Sequence, residues 1–188
     1  MHRRPLLTLL DAYAARRPDE ATVIRRIRSL VVSRPDCFER SCLPGHVTAS
    51  CWVASPARDR VLLTHHRKLG RWLQLGGHAD GDPEVARVAL REAREESGMH
   101  DFDAVVPHPG CPLVDVDVHR IPARPGEPAH EHHDLRFVFV ARPGQLPSIS
   151  SESNDLRWFD DEHFDAIATD ESLARLGRKA RALLKEMQ

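Results

Sequence analysis

The sequence predicts an α/β/α sandwich built on a mixed sheet, preceded by a helical extension. Three observations lead there. Segments that alternate apolar and polar residues at period two recur from residue 46 onward, and period two is the mark of a strand with one buried face. Segments at helical period separate and follow them, which places helices on both faces of the sheet they form. The first forty or so residues carry helical period only. This divides the chain into an extension, residues 1–40, and a main domain, residues 41–188, within a length of 188 residues that suits one domain with an appendage.

In the extension, Leu6, Leu9, Leu10 and Tyr13 fall on one helical stripe, and Val23, Ile24, Ile27, Leu30 and Val31 on a second. Pro18-Asp19 separates them, and Ser33-Arg34-Pro35-Asp36 ends the second. A helix with a single apolar stripe must bury it, so each packs on the main domain or on a second subunit, which leaves a homodimer open. His46–Val53 and Arg60–His66 read as two strands of a hairpin turning at Ser55-Pro56-Ala57-Arg58-Asp59. Lys68–Leu75 leads into the pair Gly76-Gly77, where absent side chains permit close backbone approach. Asp82 is suited to cap a helix with Pro83 at its first position. Leu113–Ile121 alternates and puts Asp115, Asp117 and His119 on one face; a Pro- and Gly-containing loop, 122–128, precedes a further strand at Ala129–Val140. Ser148–Asp155 reads as a polar loop before Leu156-Arg157-Trp158-Phe159, a short helix starts at Asp160-Asp161-Glu162, and a basic amphipathic helix spans Leu173–Met187.

Composition narrows the functional classes. Charged residues make up 29% of the chain and the formal net charge is −1, so no basic field points to nucleic acid or an anionic membrane. No apolar run approaches the roughly 20 residues that span a bilayer. The apolar patch after Arg3-Arg4 ends at Asp11 and reads as the first turns of a helix rather than a secretory signal. The four cysteines, Cys37, Cys42, Cys51 and Cys111, form no CxxC pair. Cys51 and Cys111 sit among apolar residues as small hydrophobes, and a cytoplasmic protein with reduced thiols is the expectation.

The chemistry concentrates in Gly76–Met99, GGHADGDPEVARVALREAREESGM. Residues three and four apart share a helix face, so Glu92, Glu95 and Glu96 converge, with Arg91 beside them. Like charges at that spacing repel by a few tenths of a kcal/mol per pair. A cation relieves the crowding, and hard ions such as Mg²⁺ take a few carboxylates together with substrate phosphates. The residues alone therefore suggest metal-assisted chemistry on a phosphorylated molecule.

Gly77, followed by Arg91-Glu92-Ala93-Arg94-Glu95-Glu96-Ser97-Gly98-Met99, resembles the signature of the Nudix hydrolases. That signature runs Gly, five residues, Glu, seven residues, then Arg-Glu-apolar-x-Glu-Glu-x-Gly-apolar. The second half matches, although its apolar slot is filled only by the small Ala93. The first departs, with Pro83 in place of the first Glu, Glu84 one step later as a substitute partner for Arg91, and Leu75 where a Pro is frequent. The resemblance implies the α/β/α sandwich already derived. It also implies a pyrophosphatase-type activity, the divalent-metal-dependent hydrolysis of a diphosphate linkage in a nucleoside diphosphate derivative or related small molecule.

Carried over residue by residue, the resemblance makes Glu92, Glu95 and Glu96 ligands of Mg²⁺ or Mn²⁺, and Arg91 the fork that orients them. It also calls for a further carboxylate from a distant loop; Glu152 is the first candidate, with Glu131 and Asp134 in reserve. The proton acceptor stays open among Glu92, Glu95, Glu96 and Glu152. His78, directly after the glycines, overlooks the acidic helix and is a candidate for phosphate contact. His130, His132 and Asp134 share a strand face. Imidazoles beside a carboxylate there can contact substrate (His132 and Asp134 foremost), bind Zn²⁺ with help from His119 or Asp117, or simply edge a wet cleft. Trp52, Trp72, Phe137, Phe139 and Trp158 are stacking candidates that serve equally as core.

Two other classes fit the same residues. One is a nucleotide-binding sensor that does not cleave its ligand, which the departures at Pro83 and Ala93 leave open. The other is a diphosphate-ester isomerase, which needs a catalytic Cys and an additional metal site.

Overall fold

The computed structural model describes residues 2–151, 153–168 and 170–187. The extension forms helices α1 (Arg4–Ala14) and α2 (Ala21–Ser33), joined through a single 3-10 turn at Pro18–Glu20. The main domain follows with β1 (Gly45–Ala54), β2 (Arg60–His66), β3 (Arg71–Leu73), β4 (Leu75–His78), α3 (Val85–Ser97), β5 (Phe102–Val105), β6 (Asp115–Ile121), β7 (His130–Ala141), β8 (Ser153–Asp160), α4 (Asp161–Ile167) and α5 (Glu171–Glu186).

One mixed sheet holds every strand. Its spine runs β3-β2-β1-β7-β5, with β4 also on β1, β6 also on β7 and β8 also on β2. Only β1 and β7 run parallel, in a ten-residue register that sets His46 against His132 and Thr48 against Asp134. All ten residues of β1 are buried, as are the last nine of β7. Parallel strands covered on both faces read as near-continuous apolar runs, and Leu135–Ala141 shows this, broken only by Arg136. The antiparallel β4 lays Gly76 opposite Ser50 and Gly77 opposite Ala49.

Two hydrophobic clusters flank the sheet. The larger gathers Val47, Ala49, Leu75, Leu135 and Phe137 with Val88, Ala89 and Ala93 of α3. Leu6, Leu10, Tyr13, Ile24, Ile27 and Val31 belong to this same cluster, so the extension buries its stripes on the main domain of its own chain. On the opposite face, Trp52, Leu63, Val138 and Val140 pack with Phe164, Leu173, Leu176, Ala180 and Leu184 of α4 and α5. Small residues let α3 lie close: the Cys51 thiol reaches the Ala89 carbonyl at 3.7 Å.

Local capping departs from the sequence reading in one place. The helix expected from Asp82-Pro83 starts at Val85, with Glu84 at the N-cap. Asp82 still satisfies a backbone donor, because its carboxylate accepts the Glu84 N–H at 2.9 Å. Pro83 lies inside that side-chain turn and therefore precedes the helix. At the far end Gly98, at φ 68°, supplies the left-handed cap. Strand β5 was not foreseen, since its alternation covers four residues and exposes two of them. Part of the expected 148–155 loop is strand, because β8 begins at Ser153 and pairs with β2.

Candidate active site

The glycine pair and α3 build the site together. Gly76 donates its N–H to Glu96 Oε2 at 2.8 Å, which fixes Glu96 (only 9% exposed) against β4. Gly77 makes the space for Glu92: a Cβ on Gly77 would stand 2.6 Å from the Glu92 carboxyl carbon. Arg91 Nη2 donates to the His78 carbonyl and to Glu92 Oε1, each at 2.7 Å, and its Nε lies 3.9 Å from Glu95 Oε2. Arg91 thus orients the carboxylates and ties the end of β4 to the helix. Glu84 does not take the place of the missing signature Glu in these contacts. Burial raises the pKa of Glu92, and the Arg91 guanidinium only partly offsets it. Glu95 projects outward, its side chain 62% exposed.

These carboxylates fit a hard divalent cation. Mg²⁺ keeps several waters and takes one or two protein carboxylates plus substrate phosphates, so it needs an oxygen-lined face rather than a closed cage. Glu92 and Glu96, cradled by adjacent glycines, and the outward Glu95 provide that face. Among the described residues, the histidines His46, His130 and His132 form the one group whose ligand atoms all lie within 4.8 Å of one another.

The remaining expected residues separate into two environments. His78 and His132 come together, ring centres 5.0 Å apart, and both imidazoles are held neutral. Burial and neighbouring positive charge lower His78 to about 4, while burial and the surrounding histidines lower His132 to about 2. Asp134 points elsewhere. Its carboxylate accepts from Thr48 at 2.9 Å, Ser50 at 2.6 Å and Arg136 Nε at 2.8 Å, all buried. Asp117 is likewise engaged, by Arg136, Arg175 and Ser172. Glu131 pairs with Arg26 of the extension at 2.7 Å. Glu152 lies outside the described residues.

All four cysteines are free and buried, and burial raises the Cys51 thiol well above its ordinary pKa. Trp52, Phe137 and Phe139 are core, whereas Trp72 packs edge-on against His65 and Phe159. The sequence reading missed the ionic network around Arg136 and the place of His46 beside the other imidazoles. The parallel register that brings His46 to His132 links residues far apart in sequence and leaves no local pattern.

Comparison with known proteins then decides the family. The NUDIX domain matches residues 44–178, which is well over half of the chain. The chain belongs to the Nudix family. It is a hydrolase acting on phosphoric anhydrides. Among solved structures, this Nudix hydrolase is similar to a C. elegans Ap4A hydrolase binary complex, with TM-score 0.60 and 19% identity over 74% of this chain and 98% of that one. It is similar also to a NUDIX-family hydrolase from Clostridium perfringens, with TM-score 0.56 and 26% identity over 74% and 97% of the two chains. A third likeness is to a Nudix hydrolase from M. smegmatis, with TM-score 0.54 and 18% identity over 76% and 88%. No curated protein matches the chain.

Proposed function

We propose that this Nudix hydrolase cleaves a diphosphate linkage in a nucleoside diphosphate derivative, with Mg²⁺ or Mn²⁺ held by Glu92, Glu95 and Glu96. The observation that carries the reading is the pairing of Gly76 with Glu96 and Gly77 with Glu92. Two neighbouring glycines serve two glutamates one helical turn apart, an arrangement that a merely solvated acidic helix does not need. The bound ion supplies charge neutralisation at the diphosphate oxygens and a lowered pKa for the attacking water.

Glu92 is the proposed proton acceptor, because burial raises its pKa above that of an ordinary carboxylate. Arg91 positions it and contacts no substrate. His78 presents a neutral imidazole beside the acidic helix for a phosphate oxygen. Glu152 is proposed as the additional carboxylate, and Asp134 supports β1 and β7 from within. Four free thiols fit a reducing compartment such as the cytoplasm.

The test is Mg²⁺-dependent phosphate release from dinucleoside polyphosphates, nucleoside diphosphate sugars and oxidised nucleotides, by wild type and by Glu95→Gln/Glu96→Gln. One of these classes turns over, and the double substitution lowers kcat by at least about 100-fold, as loss of electrostatic stabilisation of this kind does. Undiminished turnover in the double variant, or nucleotide binding by wild type with no turnover at saturating Mg²⁺ or Mn²⁺, overturns the proposal; the second outcome identifies a sensor.

A further inference from the structure

A second cluster of potential ligands consists of imidazoles alone. His46 is the second residue of β1, and His130 and His132 are the first and third of β7; the parallel register brings the three imidazoles together. Ring centres lie 4.9 Å apart for His46 and His130, 4.9 Å for His46 and His132, and 5.2 Å for His130 and His132.

The nitrogen positions are informative. His130 Nδ1 lies 2.9 Å from the Pro128 carbonyl. A carbonyl only accepts, so Nδ1 carries the proton and Nε2 presents its lone pair. This is the backbone contact that fixes the tautomer of a metal-binding histidine. His130 Nε2 stands 3.3 Å from His132 Nε2. Two nitrogens bound to one tetrahedral ion at about 2.0–2.1 Å stand roughly 3.3–3.4 Å apart.

His46 provides an independent observation. It is 2% exposed, and neither of its ring nitrogens has a hydrogen-bond partner. The Cys42 backbone favours its charged form without reaching hydrogen-bond geometry. Buried polar side chains are nearly always partnered, and here the unpartnered ring faces two other imidazoles.

We propose that His46, His130 and His132 form a site for a divalent transition-metal ion of the zinc class, distinct from the carboxylate site on α3. Imidazole selects Zn²⁺, Co²⁺ or Ni²⁺ over Mg²⁺, which prefers oxygen. The His78 ring borders the cluster, 5.1 Å from His46 between centres. Imidazole binds a metal ion in its neutral form. His78 adjoins both groups, since its carbonyl accepts from Arg91.

The experiment uses the full chain, stripped with chelator and titrated with Zn²⁺ against a chromophoric competitor and with Co²⁺ by visible absorption. Wild type binds one Zn²⁺ in the presence of excess Mg²⁺ and gives the intense ligand-field bands of tetrahedral Co²⁺. Glu95→Gln/Glu96→Gln retains both signals. His46→Asn and, separately, His132→Asn weaken Zn²⁺ binding by on the order of 100-fold or more, since even partners that only orient a ligand are worth 10–100-fold. Circular dichroism on both histidine variants confirms that they fold. Because the Co²⁺ spectrum is read on wild type, the proposal stays testable if a variant fails to fold. Absence of Zn²⁺ and Co²⁺ binding by wild type, or binding lost in the glutamate variant and kept in the histidine variants, overturns it.

Discussion

Gly77 and Glu92 occupy one space: the backbone of β4 passes so near the carboxylate of α3 that any Cβ at residue 77 would lie 2.6 Å from it. The neighbouring Gly76 is confined differently, because its missing Cβ would stand 2.6 Å from the Ser50 Cα and 2.8 Å from the Ala49 carbonyl. This difference separates two substitutions one residue apart. Gly77→Ala pushes aside the end of a flexible side chain, so it lowers kcat while shifting the urea midpoint little. Gly76→Ala presses on backbone that cannot yield, and costs about 1–3 kcal/mol or more as overpacking does. Denaturation and kinetics on the two variants check this; equal loss of stability in both would remove the cradle argument.

Arg136 anchors the polar interior. It is 2% exposed and donates to Asp134 at 2.8 Å, Asp115 at 3.0 Å and Asp117 at 3.2 Å. Removing one partner of a buried ionic group strands the others, typically at 3–5 kcal/mol. Arg136→Met is therefore expected to lose about that much stability. Arg175→Met should lose less, because Arg175 is 28% exposed at its side chain and water compensates. Urea titration of both variants gives the order, and a milder Arg136 variant would mean that the carboxylates find other partners.

The legibility of the chain follows the range of the interactions involved. The acidic helix and its glycines were readable because the spacing is local, within Gly76–Met99. Strands β1, β2, β6 and β7 were readable from period two. What sequence alone could not show depends on pairing. Alternation placed His130, His132 and Asp134 on one face, yet Asp134 is consumed by Thr48, Ser50 and Arg136 while His130 and His132 meet His46. Arg136 shares β7 with its partner Asp134, but its other partners come from β6 and from Ser172 of α5. Pro83 marked a helix start correctly in kind but two residues early, since Asp82 spends its carboxylate on an N–H before the helix begins.

The same network sets a pH dependence. Burial alone would raise Asp117, but its hydrogen bond from His119 and the charge of Arg136 hold it well below the ordinary carboxylate range. A depressed carboxylate stabilises the fold above its unfolded pKa of about 3.9, and the contribution is lost as pH falls through the folded value. The difference in unfolding free energy between wild type and Asp117→Asn should thus be constant above about pH 5 and shrink below about pH 4. Taking the difference cancels the slope that buried neutral histidines contribute below about pH 6.5. A difference that grows on acidification would contradict the assignment.

The extension makes the last prediction. Helices α1 and α2 bury Leu6, Leu10, Tyr13, Ile24, Ile27, Leu30 and Val31, and each such side chain contributes about 1.5–3 kcal/mol, as an upper estimate. A few of them already match the roughly 5–15 kcal/mol that holds an entire domain. Polar contacts fasten the same surface: Tyr13 donates to Glu20 at 2.7 Å and to the Val114 carbonyl at 3.2 Å, and Lys179 of α5 joins both Glu20 and Asp115. Removing residues 2–40 uncovers the apolar face of the sheet and leaves Lys179 and Asp115 without the Glu20 link. The truncated chain should lose its cooperative thermal transition or aggregate, whereas Tyr13→Phe, which keeps the ring and loses the hydroxyl, should cost only about 1 kcal/mol. Calorimetry on the two proteins distinguishes a shared core from an appendage, because an appendage could be removed with the transition temperature unchanged.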